Sequence, residues 1–265
     1  MKEVEFTIIE NKEVSPSTYM MTMRGDTSAI TAPGQFINIK LDGHYLRRPM
    51  SICDYDEKGL MIIYRVVGEG TEDMSKMTTG DRFNALTGLG NGFDLSDIPE
   101  DAVLVGGGAG AMPMYALAKA MLAGSSSASH TTGGTDTSHT ACASSTGAPT
   151  IIIGFTSAED MFFLDEFREL GMQVVATTLD GSFGVKGTVV DGMKTIAEKL
   201  PYAVACGPDP MIKAVWENAL DGQFDLSARM ACGFGACMGC TIETASGPAR
   251  VCKEGPIFKH NEIIW

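Results

Sequence analysis

Basic residues are scarce in this 265-residue sequence, which has 20 Lys and Arg against 33 Asp and Glu and a net charge of −13. Nucleic acids and anionic membranes attract basic surfaces, so this balance argues against both kinds of partner. The first residues, 1–6, have no apolar h-region, and we expect no signal peptide. Long hydrophobic runs are also missing. The most apolar stretch, 102–123, is broken by four glycines and Lys119, which argues against a membrane span.

Because we expect no export signal, we interpret the seven cysteines as free thiols and not as disulfides. Thiols stay reduced in the cytosol, where cysteines bind metals or take part in chemistry instead of forming disulfides. We therefore expect a cytoplasmic protein. The length and the 44% content of hydrophobic residues predict an ordinary globular chain with more than one domain.

Four cysteines lie within residues 232–252 with the spacing C-x4-C-x2-C-x11-C. The first three have the spacing of plant-type ferredoxins, which bind a 2Fe–2S cluster, although the fourth follows sooner than in those proteins. Small residues between them, such as Gly233 and Gly235, let the backbone curl round the inorganic sulfides. Structural zinc, which favours two separated C-x2-C pairs, and plain structural thiols are the alternatives. The predicted cluster ligands are Cys232, Cys237, Cys240 and Cys252.

Residues 1–98 predict an N-terminal antiparallel β-barrel domain. Short apolar or alternating runs, for example 35–41, are separated by turn signals such as Gly25-Asp26 and Gly80-Asp81. Regularly punctuated short strands are typical of small barrels.

Residues 99–224 predict a doubly wound parallel-sheet domain, because strands alternate with helices there. Residues 225–265 would form a small C-terminal cluster domain. The segment 124–149 is almost entirely Ser, Thr, Gly, Ala and His, and this composition predicts a flexible insertion. The expected strands cover 102–105, 150–155, 173–178 and 202–206, and the expected helices 112–122, 163–170, 188–200 and 210–218.

Two further patterns indicate nucleotide ligands. In the barrel domain, the rigid fork of Arg48 suits a pyrophosphate, Ser51 offers a hydroxyl at a strand edge, and Gly70-Thr71 offers donors to phosphate at close approach. A purely structural Arg-Pro pair is the alternative. In the parallel domain, Gly106–Gly110 follows a strand and precedes a helix, where backbone amides bind phosphate. The loop lacks the G-x-G-x-x-G fingerprint, and a ligand-free glycine turn is the alternative. Cys206-Gly207 ends a later strand at the edge where such folds bind ligands, although a lone thiol is often a buried filler.

This order of motifs resembles the ferredoxin–NADP reductase superfamily and, within it, the electron-transfer subunits of class 1B dihydroorotate dehydrogenases. The resemblance covers nearly the whole chain except the segment 124–149. It rests on the cysteine spacing and on three further stretches, which are 47–53, 64–71 and 179–184.

The resemblance implies a set of cofactor sites. FAD would be held by Arg48, Pro49, Met50, Ser51, Ile63, Tyr64, Arg65, Gly70 and Thr71. NAD would be held by Gly106, Gly107, Gly108, Gly110, Asp180 and Gly207. Cys206 would be the catalytic-site residue beside the nicotinamide, as a small polarisable wall and not as a nucleophile.

The resemblance also implies a partner. An FMN-containing subunit would oxidise dihydroorotate in pyrimidine biosynthesis, in a complex of two plus two subunits, and electrons would pass through the cluster and FAD to NAD+. A flavin and iron–sulfur subunit that serves a sulfide dehydrogenase or a ferredoxin–NADP reductase complex is an alternative, as is a redox sensor with a silent nucleotide site. The acidic pair Glu159-Asp160 favours NAD over NADP by repelling a 2′-phosphate, or else caps a helix start.

Overall fold

The computed structural model describes residues 1–128 and 148–265. Most of the predicted flexible insertion, 124–149, lies outside the described residues. None of the helices in the two described ranges has the length and apolar character to cross a membrane.

The N-terminal part of the chain is an antiparallel sheet of seven strands. They are β1 Lys2–Ser15, β2 Thr18–Arg24, β3 Phe36–Ile39, β4 Arg48–Ser51, β5 Asp54–Tyr55, β6 Gly59–Arg65 and β7 Arg82–Leu89. The order is β4-β3-β7-β1-β2-β6-β5, so β4 and β5 are the edges. The predicted antiparallel architecture is confirmed as a curled half-barrel, whose two edge strands are not paired with each other.

The core of this sheet follows from alternation along its strands. In β7, Phe83, Ala85 and Leu89 are buried while their neighbours face outward, as a strand with one covered face requires. The inward side chains of the other strands meet Phe83 and Ala85 in one apolar cluster, which includes Phe6, Ile8, Met21, Ile37 and Ile62.

One helix, α1 Glu69–Lys76, interrupts the region that the sequence predicts as strands only. That prediction is incomplete because the helix is short and polar, and Met74 is its one fully buried large side chain. Tertiary contacts stabilise it. The Asn11 amide donates to the carbonyls of Met74 and Met77, both at 2.9 Å, and so satisfies acceptors that a helix end leaves free.

The second sheet confirms the predicted doubly wound domain. Its order is β11-β10-β9-β8-β12-β13-β16, and all pairs are parallel except the last. The strands are β8 Val103–Gly107, β9 Thr150–Phe155, β10 Gln173–Thr178, β11 Val185–Lys186, β12 Leu200–Cys206, β13 Ala219–Asp225 and β16 Ile257–Lys259. The helices are α2 Pro113–Ala128, α3 Leu164–Glu169, α4 Val189–Met193 and α5 Asp209–Glu217.

The prediction of a helix over 188–200 is wrong at its C-terminal end. The helix stops at Met193, and Leu200 already begins β12, paired with Ala219. Pro201 explains the difference at this point, because a residue before proline is driven out of the helical conformation and toward extended backbone.

The C-terminal stretch packs on the second sheet. It contains a hairpin of β14 Thr241–Thr244 and β15 Gly247–Arg250, followed by β16, which pairs antiparallel with β13. The ring of His260 stacks on Trp216 of α5 with centroids 4.7 Å apart. The predicted domain boundary between 224 and 225 falls at the last residue of β13.

Candidate functional site

The four cysteines of the C-x4-C-x2-C-x11-C pattern lie together in the stretch between β13 and β16. The Sγ atoms of Cys240 and Cys252 are 3.2 Å apart, and both residues are buried. Cys232 interacts with Cys237, which is exposed, and with Cys252. Cys252, the predicted ligand with the least usual spacing, is thus a direct neighbour of the third cysteine.

Backbone turns of residues 232–240, here called the cysteine loop, direct N–H groups at the sulfur atoms. Gly233, Gly235 and Met238 have φ of 74°, 88° and 62°, in the left-handed region that glycine reaches without strain. The N–H groups of Ala236 and Cys237 donate to Cys232 Sγ at 3.3 and 3.5 Å.

These donors favour the thiolate form that metals need. Burial opposes ionisation of Cys232, but N–H donors outweigh it and lower its pKa to about 6. In contrast, burial and the neighbouring Cys240 thiol raise the pKa of Cys252 to about 12. Cys232 therefore ionises readily without a metal, whereas the buried Cys252 needs a cation beside it to ionise.

The donor set fits a 2Fe–2S cluster. Within residues 1–128 and 148–265, no three His, Cys, Asp or Glu side chains converge on one point as the ligands of a single ion would. A 2Fe–2S cluster takes its four thiolates as two pairs, one for each iron. The contacts pair Cys232 with Cys237 and Cys240 with Cys252.

The cysteine loop is held against the first sheet. Asn38 of β3 donates from its amide to the carbonyl of Cys232 at 3.0 Å. A Cβ on Gly233 would lie 2.3 Å from the same amide nitrogen, so only glycine allows this approach. Arg250, ion-paired with Glu254, donates to the Gly235 carbonyl at 2.6 Å. The loop therefore contacts the strand next to β4.

The predicted flavin residues of β4 and α1 meet at the edge of the first sheet. A Cβ on Gly70 would lie 2.1 Å from Nε of Arg48, so the guanidinium occupies the space that glycine leaves at the start of α1. Arg48 also donates to Nδ1 of His44 at 2.8 Å, and Nε2 of His44 lies 2.8 Å from Asp73. Since arginine only donates, Nε2 carries the His44 proton. That hydrogen bond is the main cause of the lowered pKa of Asp73.

Thr71 has a different position from the one expected of a phosphate donor. Its buried hydroxyl donates to the Gly68 carbonyl at 2.9 Å and accepts from the N–H groups of Val67 and Gly68. The hydroxyl therefore stabilises the start of α1. The donors that remain for a phosphate are the backbone N–H groups of the first turn of α1.

Ile63, Tyr64 and Arg65 point alternately to the two faces of β6. Tyr64 faces the core of the first sheet, where its hydroxyl donates to Asn11 at 3.1 Å and its ring stacks on Tyr19 at 5.8 Å. Burial is the main cause of its raised pKa. Ile63 packs with the core of the second sheet, and Arg65 lines a cavity between the sheets.

This cavity, of about 590 Å³, lies at the carboxyl ends of the parallel strands, where doubly wound folds bind nucleotides. Of the predicted NAD residues, those that line it are Gly107, Gly108, Gly110 and Gly207. A Cβ on Gly110 would lie 2.7 Å from Cα of Gly207, so the two predicted loops touch.

The other predicted NAD residues lie beside the cavity. A Cβ on Gly106 would lie 2.2 Å from Cβ of Ala111, so glycine at this position lets β8 pack closely against Ala111. Asp180 accepts from the backbone and hydroxyl of Ser182 at 2.9 and 2.6 Å, which lowers its pKa, and Leu179 lines the cavity instead. Cys206 is buried, and its thiol donates to Asp225 at 2.9 Å.

Sequence reasoning missed three residues at these sites, which are Asn38, His44 and Asp225. Asp225 could have been found, because it ends a strand of the parallel sheet as Cys206 does, and strand ends of such sheets meet at one edge. Asn38 and His44 have no comparable signal, since their partners depend on how loops fold back.

The fold of two sheets with a shared cavity is that of the ferredoxin–NADP reductases. The ferredoxin NADP+ reductase from Neisseria gonorrhoeae, solved with bound FAD and NADP, matches 82% of this chain and 90% of its own with a TM-score of 0.64 at 17% identity. A chain from the NADH-dependent reduced ferredoxin–NADP oxidoreductase structure matches 98% of this chain and 89% of its own, with a TM-score of 0.80 and 25% identity.

The sequence comparisons are more specific. Residues 227–264 match the family model of the iron–sulfur cluster binding domain of dihydroorotate dehydrogenase B. The dihydroorotate dehydrogenase B (NAD+) electron transfer subunits of Listeria innocua and Fusobacterium nucleatum are 35% and 36% identical, and each match covers 99% of both chains. The chain belongs to the family of dihydroorotate dehydrogenase B electron transfer subunits.

Proposed function

We propose that this chain is the electron transfer subunit of an NAD-dependent dihydroorotate dehydrogenase in pyrimidine biosynthesis. When bound, the 2Fe–2S cluster supplies one-electron transfer, and FAD joins single electrons into the hydride that NAD+ takes up. The observation that carries the proposal is the contact between the cysteine loop and β3. It brings the cysteine loop to the strand that pairs with β4, and β4 carries the flavin motif.

The FAD site would lie at the edge of the first sheet. β4 offers unpaired backbone groups along its outer edge for a flavin ring, with Pro49, Met50 and Ser51 around it. Arg48 and the first turn of α1 would bind the pyrophosphate, because the guanidinium and the helix N–H groups both favour negative charge. Ile63 would support the ring from β6, and Tyr64, on the opposite face, would anchor that strand through Asn11.

The NAD site would be the cavity between the sheets. Gly107, Gly108 and Gly110 bring backbone amides to the start of α2, where phosphate binds well, and Gly207 lies directly against Gly110. Asp160 lines the same cavity and accepts from Ser157 at 3.1 Å. It caps its own turn and also places an acid in the cavity, which disfavours the extra phosphate of NADP.

An electron transfer subunit works beside a catalytic subunit. We propose that this partner contains FMN, that two copies of each form the complex, and that the complex is cytoplasmic. Phe234 and Met238, 43% and 54% exposed, flank the exposed Cys237. Apolar side chains at this position suit a permanent interface, and they support a partner bound next to the cluster.

Reconstitution with an FMN-containing, dihydroorotate-oxidising subunit tests the proposal. Under anaerobic conditions, dihydroorotate is expected to bleach the flavin and cluster bands of this chain only when that subunit is present. Matched reactions would use the chain alone and the chain with the subunit but without dihydroorotate. If sulfide or reduced ferredoxin bleaches the bands and dihydroorotate does not, the chain serves another partner.

A further inference from the structure

Cys206 and Asp225 form a buried pair at the carboxyl ends of two parallel strands. They end β12 and β13 and stand opposite each other in the register of the sheet. The thiol donates to Oδ2 of Asp225 at 2.9 Å, and the two residues are 5% and 8% exposed.

This hydrogen bond determines what the sulfur can offer to a neighbour. A thiol has one hydrogen, and an ionised carboxylate is a stronger acceptor than a neutral oxygen. Once the hydrogen points at Asp225, only the lone pairs of sulfur remain for other contacts. Burial raises the pKa of the Cys206 thiol, and the carboxylate raises it further, so the residue stays protonated and is a poor nucleophile.

The buried carboxylate of Asp225 destabilises the fold, so a role beside Cys206 would explain its presence there. A buried carboxylate costs folding free energy unless several donors replace water. In the described ranges, the hydrogen bond to this carboxylate comes from the weak donor Cys206. An apolar side chain would fill the end of β13 without that cost.

We propose that Asp225 is a positioning residue that takes up the thiol hydrogen of Cys206, so that Cys206 presents sulfur lone pairs and no S–H donor to a bound nicotinamide. The first half of this proposal, that Asp225 takes up the thiol hydrogen, concerns this chain alone. The second half, that the sulfur lone pairs face the nicotinamide, rests on the proposed function, in which Cys206 adjoins the nicotinamide.

Four charged or titratable groups on the surrounding elements have other partners. Tyr202 on β12 bonds to Gln223, Lys259 on β16 pairs with Asp97 at 3.0 Å, Asp209 on α5 accepts from Ser227, and His260 stacks on Trp216. Burial raises the pKa of Asp225 to about 6. Above that pH the carboxylate is charged and binds the thiol hydrogen strongly, and below it the acid form binds the hydrogen weakly.

Infrared spectroscopy of the S–H stretch tests the first half on the full, cofactor-loaded chain. The band of Cys206 is assigned as the one lost in Cys206→Ser. We expect it to be broad and low in frequency at pH 8, to move to higher frequency as the pH falls through about 6, and to lie at the higher frequency at all pH values in Asp225→Asn. Asp221→Asn, the same change at an exposed position of β13, should leave the band and its pH step unchanged.

A band that does not respond to pH or to Asp225→Asn would overturn the positioning role. The pH titration of the unmodified chain decides this even if Asp225→Asn fails to fold. The second half is tested by the rate of flavin reduction by NADH. A pH step near 6 that is lost in Asp225→Asn supports it, and equal profiles in both proteins contradict it. If NADH does not reduce the flavin of the unmodified chain, the proposed function is refuted. The infrared result on Cys206 and Asp225 would still hold.

Discussion

Cys237→Ser is expected to remove the 2Fe–2S cluster and to stop electron transfer to the partner, while oxidation of NADH by an artificial acceptor such as ferricyanide continues. Cys237 is the exposed member of the thiolate set and lies in the loop between β13 and β14. Losing a ligand leaves three thiolates for two irons. Cys237 itself is outside the buried apolar clusters of the described residues, so the flavin and NAD sites should survive.

Iron analysis, electron paramagnetic resonance of the reduced protein and the two activities measure this outcome. Iron should fall from about two atoms per chain toward zero. Transfer to the partner should fall by more than the roughly 10–100-fold typical of losing an outer-shell residue at a metal site. Cys53→Ala removes a buried thiol elsewhere and should keep the iron. Full transfer to the partner by Cys237→Ser would show that electrons do not pass through these cysteines.

Arg48→Gln is expected to weaken FAD binding by about 1.5–3 kcal/mol, the usual worth of a hydrogen bond to a charged group. This corresponds to roughly a 10- to 150-fold higher dissociation constant. The guanidinium of Arg48 lies over Gly70, at the start of α1, and is oriented by His44. Glutamine keeps much of the length but loses the charge that faces a pyrophosphate.

Arg47→Gln is the matched control for this change. Arg47 is the preceding residue, and its guanidinium pairs with Glu3 at 2.6 Å, away from α1. Titration of flavin-free protein with FAD, followed by the quenching of flavin fluorescence, should give a large change for Arg48→Gln and a small one for Arg47→Gln. Equal losses for the two variants would mean that general charge, and not the contact with α1, determines FAD affinity.

The parts of the fold that could be predicted depend on local patterns. The first sheet is predicted by the alternation of buried and exposed side chains along its strands, as in β7. The second sheet is predicted by the succession of strands and helices after Asp101. The spacing of the four cysteines predicts a metal site because the predicted ligands are close in the chain. Gly107 and Gly207 could be assigned to one cavity because parallel strands end at the same edge.

The parts that could not be predicted depend on distant contacts. Helix α1 is stabilised by Asn11 and by burial of Met74, and neither signal is visible in its own residues. The contact of Asn38 with Cys232 joins residues 194 positions apart. Such contacts show no periodicity in the sequence, so the attachment of the cysteine loop to the first sheet could be seen only in the structure.

Anaerobic titration of the purified chain with NADH, with the flavin and cluster absorbance bands followed separately, tests the central claim most directly. If NAD, FAD and the cluster form one electron path in this chain, both bands bleach and the chain takes up roughly three electrons, two for FAD and one for the cluster. A flavin that bleaches fully beside a cluster that stays oxidised, or zinc in place of iron at Cys232 to Cys252, would contradict the account.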